Sequence, residues 1–313
     1  MKLLERFFNG DRIALSRIIT LLENDAGRRP AILDTLFPQS GGARRIGLTG
    51  PPGAGKSTLT DRLTRLFRQD KKTVGVIAVD PTSPFTGGAL LGDRLRMQSS
   101  WDDPGVFVRS MADRTHTGGL SAATPHVITA LDAFGKDVVI VETVGVGQST
   151  LEIANVTDTT IVVLTPESGD SIQAMKAGLM EIADILIVNK DDRSGAGNFA
   201  SDLRMVLDMR QRTDQWQPPI VRTSARDNTG VDTVYEQLTA HHQYLSDQQH
   251  IETRRLRQSR SAIDQAIEAY LGQLLADIPE RSAIMDRLSA RVARREIHPF
   301  TAAEEIIKKI VLK

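Results

Sequence analysis

Gly50-Pro51-Pro52-Gly53-Ala54-Gly55-Lys56-Ser57 fits the pattern G-x-x-x-x-G-K-[ST], the phosphate-binding P-loop. The short apolar run Arg45–Thr49 precedes it, and residues 58–67 follow with apolar side chains at helical spacing. Strand, glycine loop and helix therefore come in the order the motif requires. Glycines let backbone N–H groups turn inward around phosphate oxygens, and a helix N-terminus adds positive potential. Lys56 is placed to reach the β- and γ-phosphates, and the Ser57 hydroxyl to ligate Mg²⁺. Gly50, Pro51, Pro52, Gly53, Ala54, Gly55, Lys56, Ser57 and Thr58 are thus the candidate phosphate site.

Outward from this loop, residues 44–225 alternate strand and helix. The expected strands are Arg45–Thr49, Thr73–Val79, Val106–Ser110, Asp137–Glu142, Thr160–Leu164, Ile185–Asn189 and Ile220–Thr223. All are nearly continuous in apolar character, as expected of strands covered on both faces. The fold expectation is α/β: a P-loop NTPase with a mostly parallel sheet, helices on both faces, and helical extensions at each end. The expected divisions are a helical segment at 1–42, a P-loop domain at 43–240 and a C-terminal helical region at 241–313. Asp11 is placed to cap a second N-terminal helix. Pro30, Pro38 and Gly41-Gly42 read as exit punctuation before a linker at 40–43.

In parallel sheets the ligand sits beyond the carboxyl ends of the strands, so polar residues there carry the chemistry. One strand stops at Asn189-Lys190-Asp191-Asp192, which resembles the N-K-x-D guanine motif. A carboxylate at Asp192 accepts from guanine N1–H and the 2-amino group, and adenine lacks both donors. Asp191 is a neighbouring decoy that the register of the motif rejects. Ser224-Ala225 resembles the short segment whose backbone contacts guanine O6. Glu142-x-x-Gly145 stands where an acid at a strand end holds Mg²⁺ and a glycine N–H senses the γ-phosphate. Asp80 and Asp93 add carboxylates near the presumed metal, and Asp93 also suits a helix N-cap. Gln148 is a candidate for positioning water. His241-His242 and His250 lack thiols or ordered carboxylates as companions, which argues against a metal site.

The bulk numbers set bounds. The chain has 313 residues, enough for a full α/β domain with helical additions. Basic and acidic residues balance at 39 each, which argues against nucleic acid or an anionic membrane as the main partner. There are no cysteines, so disulfides and thiolate metal sites are excluded. No apolar run approaches the length of a membrane span. A cytoplasmic protein is the default expectation.

The run 80–97, D-P-T-S-P-F-T-G-G-A-L-L-G-D-R-L-R-M, and the run 142–149, E-T-V-G-V-G-Q-S, join the P-loop in a resemblance to the MeaB/ArgK/MMAA family. The resemblance spans nearly the whole chain. It implies a SIMIBI-class P-loop GTPase that acts as chaperone for an adenosylcobalamin-dependent acyl-CoA mutase. Methylmalonyl-CoA, isobutyryl-CoA and 2-hydroxyisobutyryl-CoA mutases are the candidate clients. It implies that Ser57, Asp80, Asp93 and Glu142 surround Mg²⁺ and that Asn189, Lys190 and Asp192 read guanine in bound GTP or GDP. It also implies that the loop with Asp170 and Lys176 is a switch and that the C-terminal helices form a homodimer. Lys56, Glu142, Asp93 and Gln148 would serve hydrolysis. Three competing readings stand beside it: a GTPase for nickel insertion, disfavoured by the missing cysteines and histidine tract; a P-loop kinase, disfavoured by N-K-x-D; and a non-catalytic binding module, disfavoured by the intact Lys56, Ser57 and Glu142. Thr150 and the N-K-D-D sequence depart from the family's commoner Q-S-E and N-K-A-D.

Overall fold

A computed structural model describes residues 2–81, 103–113, 120–143, 152–166, 178–209, 216–247 and 250–311. The described contacts divide the chain into two units, Met1–Arg254 and Arg255–Lys313.

The first unit is built on a seven-stranded sheet: β1 (Arg44–Thr49), β2 (Val74–Pro81), β3 (Val106–Asp113), β4 (Val138–Glu142), β5 (Thr159–Leu164), β6 (Ile185–Asn189) and β7 (Ile220–Thr223). Their order is β3-β2-β4-β1-β5-β6-β7, and every pairing is parallel. All seven expected strands are present. Because side chains alternate across a strand, Val138 and Ile140 feed one apolar layer while Val139 and Val141 feed the opposite one. Two-sided burial is why these strands read as unbroken apolar runs.

Helices α1 (Lys2–Phe8), α2 (Arg12–Asn24) and α3 (Arg29–Leu36) share a layer with Ile77, Val139 and Val141. Burying each of Leu15, Ile18 and Ile19 completely contributes about 1.5–3 kcal/mol. Asp11 caps α2 as expected, its Oδ1 accepting from Ile13 N at 2.8 Å and Ala14 N at 3.2 Å. The reading of Pro30 as exit punctuation is corrected: it stands in the first turn of α3, where a missing N–H costs nothing. The linker at 40–43 is clasped by α5 (Thr124–Ala133): the Asp132 carboxylate accepts from the backbone N–H of Gly41, Gly42 and Ala43 at 2.7–3.1 Å.

On the other face, α4 (Lys56–Gln69) buries Leu59, Leu63 and Phe67 in a layer shared with α8 (Val231–Asp247). The short α6 (Leu179–Ile182) and α7 (Ala196–Asp208) cover β5 and β6 on the face opposite α4. The chain goes from β1 to β2 on one side of the sheet, returns to β4 beside β1, then crosses to β5 on the other side. The loop after β1 therefore lies at a topological switch point, where an open parallel sheet leaves a crevice for ligand.

At the opposite end of β5 and β6, Asp184 gathers a buried polar cluster. Its carboxylate accepts from Thr160 N at 2.8 Å and from both Arg254 Nη atoms at 2.8 and 3.1 Å. His241 Nε2 lies 3.6 Å from Asp184 Oδ1, and His241 Nδ1 meets Thr159 Oγ1 at 2.9 Å. Trp216 donates to Asp184 O at 2.8 Å and packs on the His241 ring.

The second unit contains most of α9 (His250–Ala276), with α10 (Arg281–Ala293) and α11 (Pro299–Val311). Arg291 joins Glu305 at 3.1 Å, and Leu288 and Ala302 are buried. Ile263, Ile267, Tyr270 and Leu271 follow helical spacing along α9 and are each about half exposed or more. Among the described residues no helix is long and apolar enough to cross a membrane, and no cluster of three metal-ligating side chains occurs.

Burial lowers the His241 pKa from 6.5 to about 4. The unfolded chain therefore takes up a proton between these values while the folded chain does not, so stability falls as pH drops through this window. His241 alone is expected to cost about 2 kcal/mol between pH 7.5 and pH 5. Urea denaturation at the two pH values checks this, and His241→Gln is expected to lose less stability over the same interval.

Candidate nucleotide site

The P-loop geometry follows from its glycines. Gly50, Gly53 and Gly55 have φ of 139°, 74° and 93°, the left-handed region that L side chains rarely adopt. A Cβ on Gly50 would collide with the Val163 carbonyl oxygen of β5, and one on Gly55 with the Asn189 amide. Gly50 and Gly55 are thus required twice, for conformation and for close approach, and Gly53 for conformation alone. Gly55 stands just before α4, so the positive end of the helix opens toward the loop. Lys56 is buried, and its Nζ donates to Gly50 O at 2.8 Å and Pro51 O at 2.9 Å. The ammonium is thereby held over the phosphate loop.

Register places the acid. Glu142 pairs with Leu48, one residue before the end of β1, so its side chain meets the first turn of α4. Glu142 is 3% exposed. Ser57 Oγ donates to Oε1 at 2.6 Å and Thr60 Oγ1 donates to Oε2 at 2.9 Å. A buried carboxylate without partners would be very costly, and two hydroxyl donors at three-residue helical spacing satisfy it. Behind it, Thr143 Oγ1 and Thr49 Oγ1 meet at 3.0 Å and tie the ends of β4 and β1. The Ser57–Glu142 pair offers hard oxygen donors of the kind Mg²⁺ takes, so the described residues fit that ion.

The base end is braced from Asn189. Its Nδ2 donates to Ala54 O in the P-loop at 2.7 Å, while its Oδ1 accepts from Thr223 Oγ1 and Ala225 N, both at 3.0 Å. One side chain thus couples the phosphate loop to the segment after β7. Lys190 takes φ 62°, turning the chain at the end of β6. Asp191 is engaged by Arg222 Nε at 2.6 Å, whereas Asp192 lies exposed with its Oδ1 3.4 Å from Ser224 Oγ. Arg62 of α4 donates to the carbonyls of Ala225 and Arg226 at 3.3 and 3.1 Å.

Gly50 through Thr58, Glu142, Asn189, Lys190, Asp192, Ser224 and Ala225 therefore gather at the carboxyl end of the sheet. Asp80 lies in β2, and its side chain is outside the described set. Asp93, Gly145, Gln148, Asp170 and Lys176 fall outside the described residues. Sequence reading missed Thr60, although its spacing from Ser57 was visible, and missed the bracing roles of Thr49, Thr143 and Thr223.

Asn189→Ala removes three buried hydrogen bonds and is expected to destabilise the nucleotide-free chain by about 2–3 kcal/mol. Asp192→Ala, on an exposed loop, is expected to cost less than about 0.5 kcal/mol. Urea denaturation of both variants checks this contrast.

Residues 15–279 match the family model described as methylmalonyl-CoA mutase-associated GTPase MeaB. A Pyrococcus abyssi protein that carries a GTPase name is 44% identical over 316 residues, covering 99% of this chain and 96% of that protein. A mitochondrial Caenorhabditis elegans protein, named as a homologue of methylmalonic aciduria type A, is 30% identical over 329 residues, covering 98% and 82%. The solved structure of a LAO/AO transport system kinase superposes with a TM-score of 0.73 at 28% identity, covering 99% of this chain and 96% of that one.

Proposed function

The chain belongs to the MeaB family of GTPases, and from that premise we propose that its hydrolysis of GTP times the loading and protection of an adenosylcobalamin-dependent acyl-CoA mutase. The observation that carries this reading is the family match across residues 15–279, whose description names a mutase-associated GTPase. The metazoan relative's name points to the same methylmalonyl chemistry. Methylmalonyl-CoA mutase is the favoured client, with isobutyryl- and 2-hydroxyisobutyryl-CoA mutases as close alternatives.

The roles proposed for Lys56, Ser57, Glu142, Asn189 and Ala225 rest on the geometry above, and those for Asp80, Asp93, Gly145, Gln148, Asp170 and Lys176 on the family resemblance. Backbone N–H groups of residues 50–58 and the N-terminus of α4 hold the phosphates, and Lys56 offsets charge that builds on them. Ser57 and Glu142, joined by Asp80 and Asp93, would hold Mg²⁺, which when bound neutralises charge on the phosphate oxygens. Asn189 and Lys190 shape the base pocket, Asp192 accepts from guanine, and Ala225 N–H faces the O6 side. Gly145 senses the γ-phosphate, Gln148 positions water, and the segment with Asp170 and Lys176 passes nucleotide state to the mutase. Residues 43–240 form the GTPase domain and 241–313 the dimerisation region of a cytoplasmic protein.

Turnover of GTP by the isolated chain is expected to be slow and to rise at least tenfold with the cognate mutase, because the partner orders the switch segments. Phosphate release measured with and without mutase tests this. Partner-saturated speed in the isolated chain would contradict it. Lys56→Ala is expected to remove about two orders of magnitude of the stimulated rate.

The exposed apolar row on α9 supports the dimer reading. Light scattering of the Ile263→Glu/Ile267→Glu variant is expected to give the monomer mass where the unaltered chain gives the dimer mass.

A further inference from the structure

We infer that Asp227 governs selectivity for the guanine base by holding the single Ser224 hydroxyl proton away from Asp192. This rests on the assignment of Asp192 as the guanine acceptor.

Ser224 opens a tight loop closed by backbone hydrogen bonds to Thr229 in both directions at 3.0 Å. Asn228 at φ 60° and Gly230 at φ 72° make the closure, and a Cβ on Gly230 would collide with Arg222 O. The next residue, Ala225, is fixed by Asn189 through its N–H and by Arg62 through its carbonyl. The Ser224 backbone is therefore held on both sides, and only its hydroxyl is free to turn.

Two carboxylates face that hydroxyl. Asp227 Oδ2 lies at 2.6 Å and Asp192 Oδ1 at 3.4 Å. A serine hydroxyl has one proton to donate. The shorter distance lies in the O–H···O range and the longer one outside it, so the proton goes to Asp227. Asp192 then faces an oxygen lone pair and keeps its acceptor capacity for the N1–H and 2-amino donors of the base. Without the Asp227 carboxylate, the hydroxyl would rotate to Asp192 and compete with the base for it. Asp227 is thus a positioning residue acting through Ser224. Its short polar side chain three residues after Ser224 reads from sequence only as turn chemistry.

The test measures dissociation constants of GDP, IDP and XDP for the full chain and its variants. IDP lacks the 2-amino group, and XDP carries an oxygen there. Asp227→Ala is expected to weaken GDP about fivefold and to lower its preference over IDP. Asp227→Asn, which still offers an amide oxygen to Ser224, is expected to restore both. Ser224→Ala/Asp227→Ala, which removes the competing donor, is expected to recover most of the lost affinity. A purely structural role for Asp227 would leave the double variant as weak as Asp227→Ala, and that result would overturn the inference. Unchanged GDP binding and GDP/IDP preference in Asp227→Ala would overturn it as well. Asp192→Asn separates the two levels. If it fails to shift preference from GDP to XDP, the guanine assignment falls. If it shifts preference while Asp227→Ala changes nothing, only the role of Asp227 falls.

Discussion

The site depends on one buried carboxylate. Glu142 ends β4 in an environment from which water is excluded, and its charge has to be met by the protein. Ser57 and Thr60 meet it from one face of α4, so the acid dictates where that helix begins and how it is rotated. The P-loop is the piece of backbone left between β1 and that helix start. Its path over Val163 is so close that only glycine fits at position 50. Phosphate binding is therefore a consequence of how β1, β4, β5 and α4 pack, with loop composition serving that packing.

Asn189 extends the same logic across the sheet. Its amide is spent on the P-loop carbonyl of Ala54, on Thr223 and on Ala225 N. Phosphate loop, β6 terminus and β7 terminus are thus joined through one residue. A nucleotide bridging these elements meets a frame whose parts are already hydrogen-bonded to one another, which lowers the ordering cost of binding. Asn189 serves here mainly to hold the frame, while Asp192 stays exposed, as its proposed role toward the base requires.

Much of this was legible because it rests on pattern. Two-sided burial writes itself as apolar runs, and all seven strands were read from them. The P-loop and N-K-x-D carry fixed spacings that the backbone demands. What stayed hidden depends on register and on partners distant in sequence. Thr60 gains meaning only when β4 is placed beside β1 with Glu142 level with Leu48. Asp227 matters only through the turn that folds it onto Ser224. Pro30 reads as punctuation because proline ends helices, but it also suits a first turn, and the packing of α3 on the N-terminal layer puts it there. The Asp184–His241–Arg254 cluster had no motif at all, since its members come from three separated stretches.

β1, β6 and β7 end around the site that we propose takes a guanine nucleotide. Calorimetric titration of the purified full chain with GDP and with ADP, each with Mg²⁺, tests it most directly. GDP is expected to bind at least about a hundredfold more tightly, because adenine supplies neither donor that Asp192 would accept in this reading. Equal affinity for the two nucleotides would contradict it.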